Sequence, residues 1–114
     1  MIVSIHTTNI ETTPAIKLYV EKKIASIAKY NENITKMAID IGMTSHHHNK
    51  GKIFYAEATI NLPGKTVRVV KEAEDLYKAI DKVRDHMKNE LKEVKEKRAT
   101  RDRKVLRKTK EYQD

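Results

Sequence analysis

Arg84, Lys88, Lys92 and Lys95 recur at spacings of four, four and three, which on an α-helix stacks four cations along one flank. A row of this kind suits the phosphates of a nucleic acid, because each Lys or Arg that meets a phosphate releases condensed counterions. The whole chain leans the same way: 24 Lys and Arg stand against 16 Asp and Glu, a net charge of +8 over 114 residues. Residues 1–94 hold 15 basic and 12 acidic side chains and residues 95–114 nine and four, so the last segment is the most basic. The plainer alternative is a solvated, solubilising surface. Coincidence favours the polyanion: Lys22 and Lys29 share one face of an earlier helix, Lys23 lies at the margin of its apolar stripe, and all add charge on the helical side.

Other chemistries find less support. His46, His47 and His48 are consecutive on a polar turn, so their side chains diverge, and no Cys or second His pair completes a tetrahedral metal site. They read as a solvated loop that can graze phosphate when protonated. Glu72, Glu74 and Asp75 cluster where a helix begins, a place where carboxylates cap free N–H groups and meet the positive end of the helix dipole. A Gly-rich phosphate loop, a nucleophile elbow and an HExxH motif are all missing, and the chain has only three Gly; this pattern is not that of an enzyme and calls for no cofactor or metal. Tyr19, Tyr30 and Tyr77 sit beside basic residues at helix edges. A ring packed at the rim of a layer with its hydroxyl in water is the preferred reading over one that stacks on a base.

The elements that carry these groups follow from hydrophobic spacing. Leu76, Ile80, Val83, Met87, Leu91 and Val94 fall on one narrow helical stripe, predicting a helix over about residues 72–98 with its apolar side on a platform. The basic row, with Tyr77, Asp81 and Asp85, lies roughly 80–160° around from that stripe. The next stripe positions are Arg98 and Arg101, so the packed helix should run out near Lys95. Thr13-Pro14 is a helix-start signal, and Ile16, Val20, Ile24 and Ile27 predict a first helix over 14–30. Residues 1–6 form a short β-branched strand; Met37, Ile39, Ile41 and Met43 alternate with polar or small residues, as do Ala56, Ala58, Ile60 and Leu62. Pro63-Gly64-Lys65 marks a tight turn into a strand over 66–71.

The order β-α-β-β-β-α predicts an α+β two-layer sandwich, a four-stranded sheet with two helices on one face. The first βαβ unit should cross over right-handed, and the later strands should form an antiparallel meander. A helix of about 24 residues reaches roughly 36 Å and a six-residue strand roughly 20 Å, so the second helix should overhang the sheet. Residues 1–98 are thus expected to form one domain. Residues 99–114 should be a flexible basic tail or a helix without a platform, because Val105 and Leu106 alone cannot offset ordering entropy. Without Cys, membrane span or leader-like amino terminus, the expected location is the cytoplasm.

Three stretches, ETTPAIKLYVEKKIASIAKY, FYAEATINLPGKTV and EDLYKAIDKV, together resemble the bacterial ribosome hibernation-promoting factor and ribosome-associated inhibitor A family. The resemblance spans residues 1–97 and implies a fold similar to double-stranded-RNA-binding domains. It also implies a function: binding the small ribosomal subunit and its rRNA in the channel for transfer and messenger RNA, under stress or in stationary phase, and so silencing translation. A further ribosome-dimerising factor would be a partner; a membrane or small-molecule substrate would not. Relatives carry a run close to DKLxRQLxKxK after the EDLYKAID segment, whereas here His86, Asn89 and Glu93 stand where basic residues are expected, with Lys88, Lys92 and Lys95 as neighbours. Lys95 and Lys97 still match, as do Lys23 and Lys29 on the first helix. The long form adds a linker and a dimerisation domain and the inhibitor form ends in an acidic tail, so the short hibernation-promoting form fits best.

The expected RNA-binding set is Lys22, Lys23, Lys29, Lys82, Arg84, His86, Lys88, Lys92, Lys95, Lys97, Arg98 and Arg101. A general RNA-binding or RNA-chaperone module is the alternative function, and a protein-docking regulator a third.

Overall fold

In a computed structural model of the chain, residues 1–44 and 53–111 are described, with side chains through Lys97. The elements are β1 (Ile2–Thr8), α1 (Pro14–Ala28), β2 (Lys36–Met43), β3 (Phe54–Leu62), β4 (Lys65–Ala73) and α2 (Leu76–Glu111). They make one four-stranded sheet in the order β1-β2-β3-β4, with β1 parallel to β2 and the rest antiparallel. This is the expected α+β sandwich. His46, His47 and His48 lie outside the described residues.

Alternation decides which face of the sheet is covered. Met37, Ile39 and Ile41 of β2, Ala56, Ala58 and Ile60 of β3, and Val67 and Val69 of β4 are buried together with Leu76, Ile80, Val83, Met87 and Leu91 of α2. The register sets Ile39 opposite Ala58 and Ala58 opposite Val69, so small residues in the centre of β3 leave room for the large side chains of the helix. Val20, Ile24 and Ile27 of α1 complete this core. On the other face, Gly42 is required by a close approach. A Cβ there would lie 2.3 Å from the Thr8 carbonyl oxygen and 2.9 Å from the Tyr55 ring, and the Tyr55 hydroxyl donates to Asp40 at 3.2 Å.

The first helix starts as expected: Thr13 caps it, its Oγ1 accepting the Ile16 N–H at 3.2 Å, and Pro14 occupies the first turn. It stops at Ala28, two residues short of the expected 30, with Lys29 as its C-cap. The second helix departs more from expectation. Glu72 belongs to β4, where it pairs with Tyr55, so of the three clustered carboxylates it is Asp75 that caps, its Oδ1 accepting the Tyr77 N–H at 2.8 Å. At the far end, of the two forms expected beyond residue 98, a flexible tail or a helix without a platform, the backbone takes the second and stays helical through Glu111. Val94, expected on the buried stripe, is only partly buried against the core. The last fully buried α2 residue among those described is Leu91, and residues 95–111 carry the helix about 25 Å further.

Candidate nucleic-acid interface

α1 and α2 lie side by side on the sheet and run the same way. Tyr19 and Lys23 of α1 meet Tyr77 and Asp81 early in α2, while Tyr30, just past α1, meets Lys88 and Lys92 later in α2. Asp81 ties the near end together. Its Oδ1 accepts the Tyr19 hydroxyl at 2.5 Å and the Lys23 ammonium at 3.1 Å. The Tyr19 and Tyr77 rings meet edge to face at 4.8 Å, and Lys23 Nζ lies 5.0 Å from the Tyr19 centroid. Tyr19 is thus a rim tyrosine whose hydroxyl goes to a carboxylate rather than to water.

Partial burial pushes the Asp81 carboxyl up, but the hydrogen bonds from Tyr19 and Lys23 and the positive charges of Lys23 and Arg84 outweigh it and hold the group below the ordinary carboxylate range. The hydrogen bond to Asp81 raises both Lys23 and Tyr19 in return. A depressed folded-state value means that the stabilisation is present above about pH 4 and is lost as pH falls through that lower value. Because Asp81 is 44% exposed, the solvent-screened cost of Asp81→Ala should be about 1 kcal/mol at pH 7. Urea unfolding should show that gap to the native chain closing as the pH is lowered below about 4; a gap that is constant with pH would rule out this role.

Further along, Lys88 and Lys92 sit over the Tyr30 ring, with Nζ 5.4 and 5.8 Å from its centroid, a cation–π arrangement that leaves the ammonium N–H groups free to donate. Arg84 lies between the two tyrosine clusters. Its buried Nε is 3.2 Å from Asp85 Oδ1, yet that carboxylate is off the N–H direction and the N–H has no hydrogen-bond partner. Residues one apart on a helix do not face each other, which explains the poor angle. A buried N–H donor without an acceptor costs on the order of 1–3 kcal/mol; the Nε is closed off from the surface, so an anionic oxygen arriving at the seam would meet the exposed part of the Arg84 side chain instead.

The expected residues therefore do not form one patch. Lys23, Arg84, Lys88 and Lys92 line the seam between the helices. Lys22 and Lys29 are exposed and, at 100° per residue, lie on the outer crest of α1, about 100° from Lys23. Lys82 and His86 fall on the flank of α2 turned away from α1. There Lys82 Nζ donates to the Glu72 carbonyl at 3.3 Å and His86 pairs with Glu90 at 3.2 Å. Lys95 and Lys97 leave the seam and line a cleft with Lys65. The side chains of Arg98 and Arg101 lie outside the described set.

Residues 3–99 match the family described as Sigma 54 modulation protein / S30EA ribosomal protein. The chain belongs to this family. Among its relatives, the Deinococcus radiodurans ribosome hibernation promotion factor is 29% identical over 76% of this chain and 45% of its own length. The Staphylococcus aureus protein of that name is 29% identical over 87% of this chain and 52% of its own. The chain thus spans about half the length of the curated relatives it matches. The amino-terminal domain of Thermus thermophilus Protein Y superposes with a TM-score of 0.69 at 32% identity, over 82% of this chain and 99% of that one. A ribosomal subunit interface protein from Coxiella burnetii shares the fold, with a TM-score of 0.72 at 22% identity over 83% and 98% of the two chains.

Two features of this S30EA-family surface escape a reading of spacing alone. Asp81 joins Tyr19 across 62 positions, although the four-residue steps from Tyr19 to Lys23 and from Tyr77 to Asp81 hint that both pairs line helix edges. Lys65, the first residue of β4 after the Pro63-Gly64 turn, belongs to no cationic row that spacing would pick out. Among the described residues no three His, Asp or Glu converge to hold a metal ion, and no helix is long and apolar enough to cross a membrane.

Proposed function

We propose that the chain binds the small ribosomal subunit through rRNA phosphates at the α1/α2 seam and, by occupying the channel for transfer and messenger RNA, silences translation under stress. The observation that carries this reading is a row of cations along the seam, Lys23 on the Tyr19 ring and Lys88 and Lys92 on the Tyr30 ring, in a chain of the S30EA family. Phosphate oxygens satisfy such donors without base reading, so binding is sequence-tolerant and driven by counterion release. No reacting group enters this mechanism; inhibition is steric.

Co-sedimentation with purified small subunits tests it. Binding that weakens steeply with salt is expected, and equal retention on an unstructured RNA of similar length would instead favour a general RNA chaperone. The extension contributes through the same term. Deleting residues 99–114 removes Arg101, Arg103, Lys104, Arg107, Lys108 and Lys110 but no described core residue. Tm should therefore barely change, while the slope of log affinity against log salt shrinks by about two to three units if three or more of them meet phosphates. An unchanged slope and unchanged inhibition would make the extension a bystander.

A further inference from the structure

Where α2 leaves the sheet, three segments border an open cleft of about 710 Å³, inside the roughly 300–1,000 Å³ range of small-ligand sites. The loop after α1 forms one wall and is pinned to the sheet. Asn31 Oδ1 accepts the Asn33 N–H at 2.8 Å, and Thr35 donates its N–H and its hydroxyl to the Asn61 carbonyl at 2.9 and 3.1 Å. The β3–β4 turn forms the second wall, with Gly64 at φ 74° following Pro63, the φ values of a type II turn. The third is α2 itself, from Val94 to Lys97.

The lining combines two chemistries. Leu62, Pro63 and Val94 offer apolar surface, and Lys65, Lys95 and Lys97 bring three cations against the single carboxylate of Glu32. Lys23 is bound to Asp81 and Lys88 and Lys92 lie on Tyr30, whereas Lys65, Lys95 and Lys97 have no ion-pair partner among the described residues. Asn31 spends its oxygen on Asn33 and keeps its NH2 to donate, while the Glu32 carboxylate can accept. Inorganic phosphate would use the lysines and leave the apolar surface wet; an aliphatic anion would use the lysines and leave Asn31 and Glu32 to water. A flat ring with amino and acceptor groups on its edge and an anionic group a few ångströms away uses all of them.

We propose that this cleft is a nucleoside-phosphate site, with the ring on Pro63 and Val94 and the phosphate between Lys65 and the Lys95–Lys97 turn of α2. The ligand is either a nucleotide splayed from a bound RNA strand or a free nucleotide; the former rests on the RNA-binding reading above, the latter does not. Amide spectra of the 15N-labelled full chain, titrated with AMP, with inorganic phosphate and with a single-stranded oligoribonucleotide, test it. AMP should move the amides of residues 31–33, 64–65 and 94–97, and phosphate should do so far less. Lys65→Glu, at the exposed first residue of β4, should weaken the AMP effect at least about fivefold, on the order of one surface phosphate contact, with Lys65→Arg restoring it. An oligonucleotide that shifts the same amides about tenfold more tightly than AMP identifies an RNA strand as the source; AMP binding as tightly as the oligonucleotide identifies a free nucleotide. Equal shifts from phosphate and AMP, or no shifts at the cleft, overturn the site. Small-subunit co-sedimentation of the same variants separates the two readings. Retained co-sedimentation without cleft shifts sinks the cleft alone, and cleft binding without co-sedimentation sinks the ribosomal function alone.

Discussion

Ile80→Ala should destabilise the chain by about 2–5 kcal/mol. Ile80 is 5% exposed and sits in the middle of the α2 stripe, between Leu76 and Val83, in one buried cluster with Ala58 and Ile60 of β3. With alanines already at positions 56, 58 and 79 of this core, little neighbouring bulk can move in to fill the space, which favours the upper part of the range. For a domain of this size the loss corresponds to a fall in Tm of roughly 10–20 °C. Denaturant unfolding with an unchanged m-value is the measurement; a midpoint that stays put would show that α2 does not rest on the sheet through this stripe.

Replacing Arg84, Lys88 and Lys92 together by Gln should weaken small-subunit binding by roughly 50- to 200-fold at 0.15 M salt. The figure comes from counterion release: three phosphate contacts at about 0.7–0.9 units of slope each, taken between 0.15 and 1 M salt. The slope itself should drop by about two to three units. Lys88 and Lys92 each give up a cation–π contact of about 0.5–1 kcal/mol with Tyr30, so the triple variant remains folded and circular dichroism should be unchanged. Lys82→Gln, on the flank turned away from α1, is the comparison. If it weakens binding as much as the triple variant, the seam is not the contact surface.

The sheet and the core were legible because β2, β3 and β4 each bury one face, and alternation at Met37, Ile39 and Ile41 or at Ala56, Ala58 and Ile60 reports that directly. Boundaries were less so. Glu72 and Ala73 look like the acidic start of a helix, yet the ladder to β3 extends through Ala73, opposite Phe54, and strand pairing outweighs local propensity. At the other end, the apolar stripe stops near Val94 while the helix continues, since Lys, Arg and Glu are good helix formers and need no platform to extend an existing helix. A stripe reports where a helix is packed, not where it ends. The seam was half legible. Spacing placed Arg84, Lys88 and Lys92 on one flank, but the fate of Tyr19 and the separation of Lys82 and His86 depend on where α1 lies relative to α2, which no local pattern encodes.

The unbroken course of α2 changes what the extension can do. A free chain over residues 95–111 would wander with a root-mean-square reach of roughly 20–25 Å in every direction, and fixing it on a target would cost about 1 kcal/mol or more for each residue ordered. Continuous with the packed helix through Glu111, the same residues span a similar distance along a single axis, each advancing 1.5 Å. The extension is then a straight continuation of the domain rather than a wandering tether, and a target that meets it would not have to order it first.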